Sequence, residues 1–454
     1  MSDGTGTIGE LVGRCLAGLG ARRVFVASPL TSADPHVIAP STEIGLDLHP
    51  VGDAELALML ASADGRIGPG PGAAIIDGRR LVLTSAPGIT ADVVRISDPA
   101  YLPGALAGWS LGAVHAAAEY DLDLDLDAPA PPGLDPVVLE DTSDELLTLS
   151  PILAEFSTLV LAGPGVVRAG HVNGLRALAA AAGCGVVNSW GAKGVFVWDD
   201  PHHYGTIGLQ SRDFDLAGLN DAQLIIASGL DPLETPIERW NRSAQVLEVE
   251  PWQLSTLAHY WPDPGPVPGP PPLYAQLSSA LADRYRSDDV PLAPARAAAD
   301  LAAVVPPGGL VLADPGPAGL WVARAFPTSE PGSVIVPTAF VRGFAVAGAV
   351  VAALAGRPAI AVTTDPVDPT TDAVLELARR WDLSLVVEVW GGDGPLDHAG
   401  DHAERLAESL ERPGVDRLDV PVAFAETAIL VDVAGDVIAW PRGAAGGWSS
   451  RAEN

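Results

Sequence analysis

The sequence predicts an α/β protein of three consecutive domains, each with a mainly parallel sheet covered by helices. Three observations lead to this prediction. The chain has 454 residues, short β-branched runs alternate with helical patterns along it, and two Pro-rich stretches interrupt it at residues 128–136 and 262–272. Such alternation is typical of parallel sheets, and Pro-rich stretches serve as linkers. We therefore expect domains at residues 1–130, 137–262 and 273–454.

Each segment carries the elements that this fold class requires. In the first we expect a helix at Ile8–Leu19, a strand at Arg23–Ala27 and a helix near Asp53–Ala63. In the second we expect a strand at Thr158–Ala162, a helix at Val172–Ala182 that Gly183 ends, and a strand at Gln223–Ala227. In the third we expect Gly309–Ala313, an apolar helix at Gly343–Ala355, Ala359–Thr363, a helix near Asp372–Trp381 and Leu385–Val389.

The charge balance restricts the class of partner. The chain has 26 Lys and Arg against 57 Asp and Glu, a net charge of −31, so nucleic acid and anionic membrane surfaces are disfavoured as partners. The first ten residues carry no basic region with an apolar run, which disfavours a signal peptide. The most apolar stretch is too short to span a bilayer. Cys15 and Cys184 form no zinc pattern. A cytoplasmic protein is expected.

The middle segment carries the most specific motifs. It reads LVLAGPGVVRAG at 159–170, ALAAAAGCGVVNSWGAKGVFVWDDPHHYGTIG at 177–208 and LNDAQLIIASG at 219–229. This pattern resembles the central domain of the thiamine-diphosphate enzymes of the acetolactate synthase and benzoylformate decarboxylase type. The residues that carry the resemblance are Gly163, Gly165, Lys193, Gly194, Pro201, Gly205, Gly208 and Gly229.

The outer segments resemble the other two domains of that family. Residues 53–66 (DAELALMLASADGR) look like the helix of the pyrimidine-binding domain that begins with the activating glutamate, and residues 84–88 (TSAPG) look like its T-S-G-P-G turn. Residues 111–129 look like its last helix and strand. In the third segment, Asp314, Gly316, Trp321, Ala323 and Arg324 resemble the start of the diphosphate-binding domain. The resemblance implies a thiamine-diphosphate-binding fold.

The resemblance implies thiamine diphosphate and Mg²⁺ as cofactors, with the protein supplying orientation and electrostatics. The activating glutamate aligns with Ala54, and Glu55 stands one position later. Because a helix turns about 100° per residue, the side chain of Glu55 points in a different direction from that of residue 54. One interpretation is that Glu55 has nevertheless taken over the catalytic role. The alternative interpretation is that Asp53 and Glu55 form a solvated helix N-terminus, where the macrodipole favours acids.

The metal and diphosphate motif departs from the family pattern. Where the family has G-D-G, this chain reads Thr364-Asp365-Pro366, so the aspartate is kept while both glycines are lost. Where the family has Asn-Asn, about 26 residues further on, it reads Gly391, Gly392 and Asp393. Asp365 and Asp393 are therefore the candidate metal ligands, and Asp365, Gly391 and Gly392 are the candidate cofactor contacts. We expect thiamine diphosphate binding to be weak or lost.

Three further features bear on function. Only about twenty residues separate the TSAPG turn from the last helix of the first segment, so this domain is expected to be shortened. Arg168 replaces the third glycine of G-x-G-x-x-G, which argues against classical dinucleotide binding. The resemblance does not imply FAD either, because some relatives with the same domain bind no flavin. His398 and His402 have the i, i+4 spacing of metal ligands on a helix, although an exposed, charged helix start gives the same pattern.

We therefore predict a degenerate family member, a non-catalytic or regulatory subunit that pairs with an active paralogue as a heterodimer, or else a homodimer. The alternative is a thiamine-diphosphate-dependent lyase or transferase, a decarboxylase or carboligase acting on a 2-oxo acid, with Glu55 as its catalytic acid. A third possibility, from another class, is a nucleotide or acyl-CoA binding module that uses the middle domain.

Overall fold

The structure is a computed structural model that describes residues 5–27, 46–88, 92–96, 98–107, 109, 116–121, 127–129, 143–240, 243–262, 269–364 and 368–440. The chain forms two compact units, Met1–Glu140 and Asp141–Asn454. Three sheets of five or six strands, mainly parallel and accompanied by helices, confirm the predicted α/β fold class. Among the described residues, no helix has the length and apolar character needed to cross a membrane.

The first unit contains a six-stranded sheet in the order β3-β2-β4-β5-β7-β6 and a separate β1–β8 pair. Its strands are β1 (Thr5–Thr7), β2 (Arg23–Val26), β3 (Asp47–Pro50), β4 (Gly72–Ile76), β5 (Arg80–Thr84), β6 (Val93–Arg95), β7 (Ala117–Asp121) and β8 (Asp127–Pro129). Its helices are α1 (Ile8–Gly18), α2 (Ala54–Ile67) and α3 (Leu102–Ala107). β5 runs antiparallel to both β4 and β7. The segment expected to be shortened therefore still holds the strand β6 and the short helix α3, while the expected helix near residue 111 lies outside the described residues.

Two glycines set the position of helix α2 on this sheet. A Cβ on Gly72 would overlap the carbonyl oxygen of Ala61, and one on Gly65 would overlap that of Thr84. The helix therefore lies directly against the backbone of β4 and β5, and its rotation about its own axis is fixed. The buried ion pair between Arg23 and Asp64, 2.7 Å apart, holds the same helix to β2.

The second unit begins with an all-parallel sheet in the order β11-β10-β9-β12-β13. Its strands are β9 (Thr158–Ala162), β10 (Gly185–Ser189), β11 (His203–Ile207), β12 (Leu224–Ser228) and β13 (Gln245–Glu248). The accompanying helices are α4 (Ser143–Leu153), α5 (Pro164–Arg168), α6 (Val172–Ala182), α7 (Asp213–Leu216), α8 (Ile237–Trp240) and α9 (Gln253–Tyr260). Helix α6 ends at Gly183, which adopts the left-handed conformation, φ 58°, as the sequence predicts.

The same unit continues with a second all-parallel sheet in the order β15-β14-β16-β17-β18. Its strands are β14 (Leu310–Ala313), β15 (Val334–Ile335), β16 (Ala359–Thr363), β17 (Leu385–Trp390) and β18 (Val415–Val420). Its helices are α10 (Pro272–Leu281), α11 (Pro294–Val304), α12 (Pro317–Ala325), α13 (Phe344–Leu354), α14 (Pro369–Arg380), α15 (Gly400–Glu411) and α16 (Thr427–Ala434). Residues on both sides of the second Pro-rich stretch pack into one unit, and the boundaries at 137–262 and 273–454 stay a prediction.

The apolar helix predicted at residues 343–355 is α13, and residues 344–352 are all buried. It packs against β14, β16 and α14 of its own chain. The Ala/Val-rich surface of this helix is therefore buried inside the unit. This helix offers no face for a second chain, so the predicted homodimer or heterodimer has to use another surface.

A buried guanidinium joins the two sheets of the second unit. Arg324, on α12, pairs with Asp213 at the start of α7, with 2.8 Å between Nη2 and each carboxylate oxygen. Its Nη1 donates to the carbonyl of Thr206 in β11 (2.6 Å), and Nη2 also contacts the Gln210 amide oxygen (3.1 Å). The side chains of Arg324 and Asp213 are 1% and 0% exposed. Removing one partner leaves the other as an unpaired charge in the interior.

Tryptophan indoles make further links between the same two sheets. Trp190, which follows β10, donates from Nε1 to the carbonyl of Val336 (3.2 Å). Trp440 donates to the carbonyl of Pro337 (2.7 Å), and the centroids of the two indole rings lie 5.8 Å apart. Both side chains are buried. Each of these two indoles thus combines apolar packing with one hydrogen bond to a backbone carbonyl.

We expect Arg324→Met to lower the free energy of unfolding by about 3–5 kcal/mol, because it leaves Asp213 buried without a cation. Asp213→Leu should cost at least as much, since the backbone N–H groups of Leu209 and Gln210 also donate to that carboxylate. The double variant should cost clearly less than the sum of the single variants. Urea denaturation of the four proteins tests this, and additive losses would contradict the buried pair.

Candidate functional site

The carboxyl ends of β14, β16 and β17 form the edge at which an open parallel sheet usually binds its ligand. The first acid there is Asp314, directly after β14. Its carboxylate accepts hydrogen bonds from the backbone N–H groups of Gly343 (3.3 Å) and Ala345 (2.8 Å). Burial raises the pKa of Asp314 to about 6, although these hydrogen bonds and one from Thr363 act in the opposite direction. Asp314 therefore serves the N-terminus of α13.

The second acid at this edge, Asp368, has a similar role. It caps α14, and its Oδ2 accepts from the backbone N–H of Thr371 (2.8 Å) and from the Thr371 hydroxyl (2.9 Å). The side chain is buried. Asp365, the predicted metal ligand, lies outside the described residues, as does Pro366. Among the described residues, no three His, Cys, Asp or Glu side chains come together in a way that could hold a metal ion.

The predicted cofactor contacts after β17 pack against the protein itself. A Cβ on Gly394 would overlap the carbonyl oxygen of Asp419, at the end of β18, and one on Gly392 would lie 3.2 Å from the Asp419 Cβ. Gly391 has φ +84°, and a Cβ there would lie 3.2 Å from the Phe424 ring. Gly392 and Gly394 let the loop lie close to Asp419, whereas Gly391 stays exposed beside the Phe424 ring. Asp393 itself is exposed.

These contacts bear on whether the edge of the sheet can hold a diphosphate group with its Mg²⁺. Such a group needs several oxygen ligands and approachable backbone N–H groups. Two of the described acids are committed to helix caps, and the glycine loop is closed by Asp419. The described residues of this edge therefore fit the group only in part: Asp314, Asp368 and Gly394 are used by the fold, whereas Gly316 keeps open space above its Cα.

In the first unit, the predicted catalytic acid lies at the start of α2. Asp53 is the N-cap, and its side chain accepts from the backbone N–H of Leu56 (2.9 Å). Glu55 is exposed in the first turn, whereas Ala54 is half-buried and Ala57 is fully buried. Because Gly65 and Gly72 fix the rotation of the helix, Ala54, the position aligned with the family's glutamate, is partly buried and Glu55 faces solvent. This geometry favours the solvated helix N-terminus.

The glycine turn of the middle segment lies where the strand order of its sheet reverses, between β9 and β12. Gly163 donates its N–H to the carbonyl of Ser228 (2.9 Å), and Gly165 donates to that of Gly229 (2.8 Å). A Cβ on Gly165 would lie 2.7 Å from the Gly229 Cα. The three glycines therefore permit close packing of two backbone segments, and the N–H groups of Gly163 and Gly165 are used within the protein.

The His398–His402 pair is separated by the fold. His398 is exposed, whereas His402 is buried on α15. His402 Nδ1 lies 3.0 Å from Asp300 Oδ2, and Nε2 lies 3.0 Å from Glu388 Oε1. Burial alone would lower the pKa of His402, but the two carboxylates outweigh it and raise the pKa to about 9. His402 is thus a buried cation between α11 and β17. It is neither a metal ligand paired with His398 nor part of an exposed helix start, the two interpretations that the sequence allowed.

A cavity of about 410 Å³ opens in the second unit beside β11, between α10 and α12. Lys193 lines it and is 5% exposed. No described residue accepts a hydrogen bond from its Nζ or forms an ion pair with it. Burial, together with the charge of Arg324, lowers the pKa of Lys193 from 10.5 to about 7. A buried amine without a counter-ion is costly for the fold.

The turn that carries Lys193 is held on two sides. Arg176 donates to the carbonyls of Val195 (2.6 Å) and Gly194 (3.3 Å). Gly194 has φ +86°, and a Cβ there would overlap the carbonyl oxygen of Glu330. On the opposite wall of the cavity, the Tyr285 hydroxyl donates to the carbonyl of Ala325 (2.7 Å). The contacts of Arg176 and Gly194 thus hold the turn that carries the lysine.

Sequence reasoning used Lys193 only as a marker of resemblance and missed this cavity. One signal was available: Lys193 is the only lysine in the chain, all the other basic residues being arginine. Arginine cannot lose its charge in a protein, whereas a buried lysine can. The lining, however, comes from three separate parts of the chain, residues 193–206, 274–299 and 324–327, and no local pattern brings them together.

Comparison with known proteins supports part of the resemblance. Residues 151–267 match the family model described as "Thiamine pyrophosphate enzyme, central domain". The fold is similar to the X-ray structure of a Mycobacterium smegmatis protein provisionally assigned as a thiamin diphosphate-dependent enzyme. The TM-score is 0.66 at 15% sequence identity, over 92% of this chain and 100% of that chain. At this identity the likeness concerns the fold alone. No curated protein matches the sequence.

We expect Lys193→Met to stabilise the protein at pH 7 by a free energy on the order of 3 kcal/mol. With a folded pKa of about 7 against 10.5, the unfolded chain binds more protons between these values, so the wild type gains stability as pH rises through this window. The gain from the substitution should shrink over the same range. Urea denaturation of both proteins from pH 6.5 to 10 measures it, and a gain that does not depend on pH would contradict the buried, uncompensated amine.

The contacts of His402 should make the free energy of unfolding change with pH in the opposite direction. Its folded pKa of about 9 lies above the unfolded value of 6.5, so its contribution is complete below about pH 6.5 and is lost as pH rises through 9. We expect the difference in unfolding free energy between wild type and His402→Gln to decline over this window. In the wild type, the contributions of Lys193 and His402 to the pH dependence of the unfolding free energy partly cancel. Each contribution is therefore measured with the variant of that residue. A difference that increases with pH would show that His402 is neutral in the fold.

Proposed function

We propose that this chain is a relative of the thiamine-diphosphate enzymes that does not use the cofactor itself and serves as a non-catalytic or regulatory subunit of an active paralogue. One observation carries the proposal. At the carboxyl edge of the β14–β18 sheet, Asp314 and Asp368 are bound to helix N-termini, and the glycines after β17 close onto Asp419. The net charge of −31 adds an unfavourable field for a polyanionic cofactor.

Pairing with a paralogue agrees with the exposed apolar side chains of the first unit. Val93 and Val94 on strand β6 are 52% and 50% exposed, and Tyr101 is 71% exposed. Among the described residues, β6 pairs with β7 alone and lies at the end of its sheet order. An edge strand with apolar side chains is a surface that natural proteins usually cover. A heterodimer, or a homodimer, would cover it.

A single observation favours the alternative, a thiamine-diphosphate-dependent lyase or carboligase acting on a 2-oxo acid. Gly316, the N-cap of α12, has φ +130°, and a Cβ there would meet no atom within 4 Å. Open space above a glycine at the start of a helix is where a phosphate can approach the backbone. In that enzyme Glu55, Asp365 and Asp393 would have altered roles, with the two aspartates holding Mg²⁺.

Calorimetric titration with thiamine diphosphate and Mg²⁺ separates the two. For the chain alone we expect a dissociation constant above about 1 mM, a binding free energy weaker than about 4 kcal/mol. Asp365→Ala and Asp393→Ala should behave like the wild type. Tight, Mg²⁺-dependent binding that Asp365→Ala removes would overturn the proposal and restore the enzyme. Sedimentation with and without a purified paralogue tests the pairing, and a chain that stays monomeric in both would contradict it.

A further inference from the structure

The cavity beside β11 is lined by basic and no acidic side chains, in a strongly acidic protein. The chain has 57 acidic residues against 26 Lys and Arg, yet no described residue that lines the cavity is acidic. The lining includes the cations Lys193, Arg286 and Arg324, together with His203. Such a reversal of sign creates a local field that attracts anions.

The three cations differ in what they can offer a ligand. Arg324 is committed to Asp213, Thr206 and Gln210 through its Nη atoms. Arg286 is exposed and lies in the wall near the solvent. Lys193 is buried, and its Nζ contacts no acceptor among the described residues. Its three N–H donors therefore have unused capacity inside the cavity.

The rest of the lining is apolar or aromatic. Leu281, Phe326 and Ala325 are buried, and Trp198, 44% exposed, lies beside the opening. His203 donates from Nδ1 to the carbonyl of Trp198 (2.9 Å), and the His203 ring meets the Tyr274 ring edge-on at 5.8 Å. A cavity of about 410 Å³ with apolar walls and a few polar groups is of the size that holds small organic ligands.

We propose that this cavity binds a small organic carboxylate whose apolar body contacts Leu281 and Phe326 and whose carboxylate accepts hydrogen bonds from Lys193. A ligand anion would supply the counter-ion that the fold itself does not provide. Charge-assisted hydrogen bonds in a dry site are among the strongest polar contacts available. The ligand site lies apart from the edge of the β14–β18 sheet, so it stands whether or not thiamine diphosphate binds.

The charged groups around Lys193 agree with this assignment. Arg324 and His203 act on it directly, and neither is negative. Asp199 and Asp200 influence Tyr274 and His203 from the loop after Trp198, but neither belongs to the lining. Arg286 offers a second positive group to an anion on its way in.

The single lysine makes the test direct. Protein labelled with [¹³Cε]lysine gives one lysine signal, from Lys193. The probes are benzoate and 4-phenylbutanoate, each compared with its uncharged amide. We expect both carboxylates to shift this signal saturably and to raise the midpoint of its pH titration. The amides, which have nearly the same shape, should do neither.

Three variants complete the experiment, with affinity measured by calorimetry. Lys193→Met should weaken 4-phenylbutanoate binding at least about tenfold, the effect of losing a charged hydrogen-bond donor. Ser278→Trp fills the cavity from α10 while keeping Lys193, and it should abolish binding. Arg379→Met removes an exposed arginine of α14 and should leave binding unchanged.

The proposal is overturned if the amides shift the lysine signal as the acids do, or if Lys193→Met binds 4-phenylbutanoate within twofold of wild type. It is also overturned if neither carboxylate gives a saturable shift up to about 10 mM, the range of very weak complexes. Circular dichroism checks the fold of each variant. Should Lys193→Met fail to fold, Ser278→Trp and the acid–amide comparison on the wild-type chain still decide the question.

Discussion

The second unit depends on one buried interaction, the pairing of Arg324 with Asp213. It joins α12 of the β14–β18 sheet to the loop that follows β11 in the neighbouring sheet. Gln210 extends the link, because its amide nitrogen donates to the carbonyls of Leu430 and Gly435, each at 2.7 Å. The carboxylate of Asp213 and the acceptors of both Nη atoms stabilise the buried charge, whereas Arg324 Nε has no hydrogen-bond partner among the described residues. The same guanidinium lines the cavity of Lys193, so the element that joins the sheets also shapes the site.

Glycine has two different roles in this protein, and only the surroundings distinguish them. At Gly163, Gly165 and Gly394 a Cβ would collide with backbone of the same chain, so these residues permit close packing. At Gly316 the space above the Cα is open. A family motif written as glycines is compatible with both roles. A chain can therefore keep the glycines of a motif because packing requires them, whether or not it binds the family's ligand.

Two buried basic side chains, His402 and Lys193, also differ in role according to their surroundings. His402 is a cation enclosed by Asp300 and Glu388, whose charges outweigh the cost of burial, so it supports the fold. Lys193 is buried with no acid beside it, so it opposes the fold at neutral pH. Residues that cost stability without a compensating contact are expected at functional positions. This contrast, within one unit and between two basic side chains, is why we assign ligand binding to the lysine and a structural role to the histidine.

The sequence by itself determined the fold class, most strand and helix positions, and the resemblance of the middle segment, because these follow from local periodicity and from glycine and proline spacing. It also indicated that Glu55 and Ala54 face different directions, since helical rotation is local. Only the tertiary structure decided the partners of His402, the use of Asp314 and Asp368 as helix caps, and the burial of Lys193. Those properties depend on contacts between residues far apart in the chain, such as Lys193 with Arg324, and burial changes the pKa of a group without changing the sequence around it.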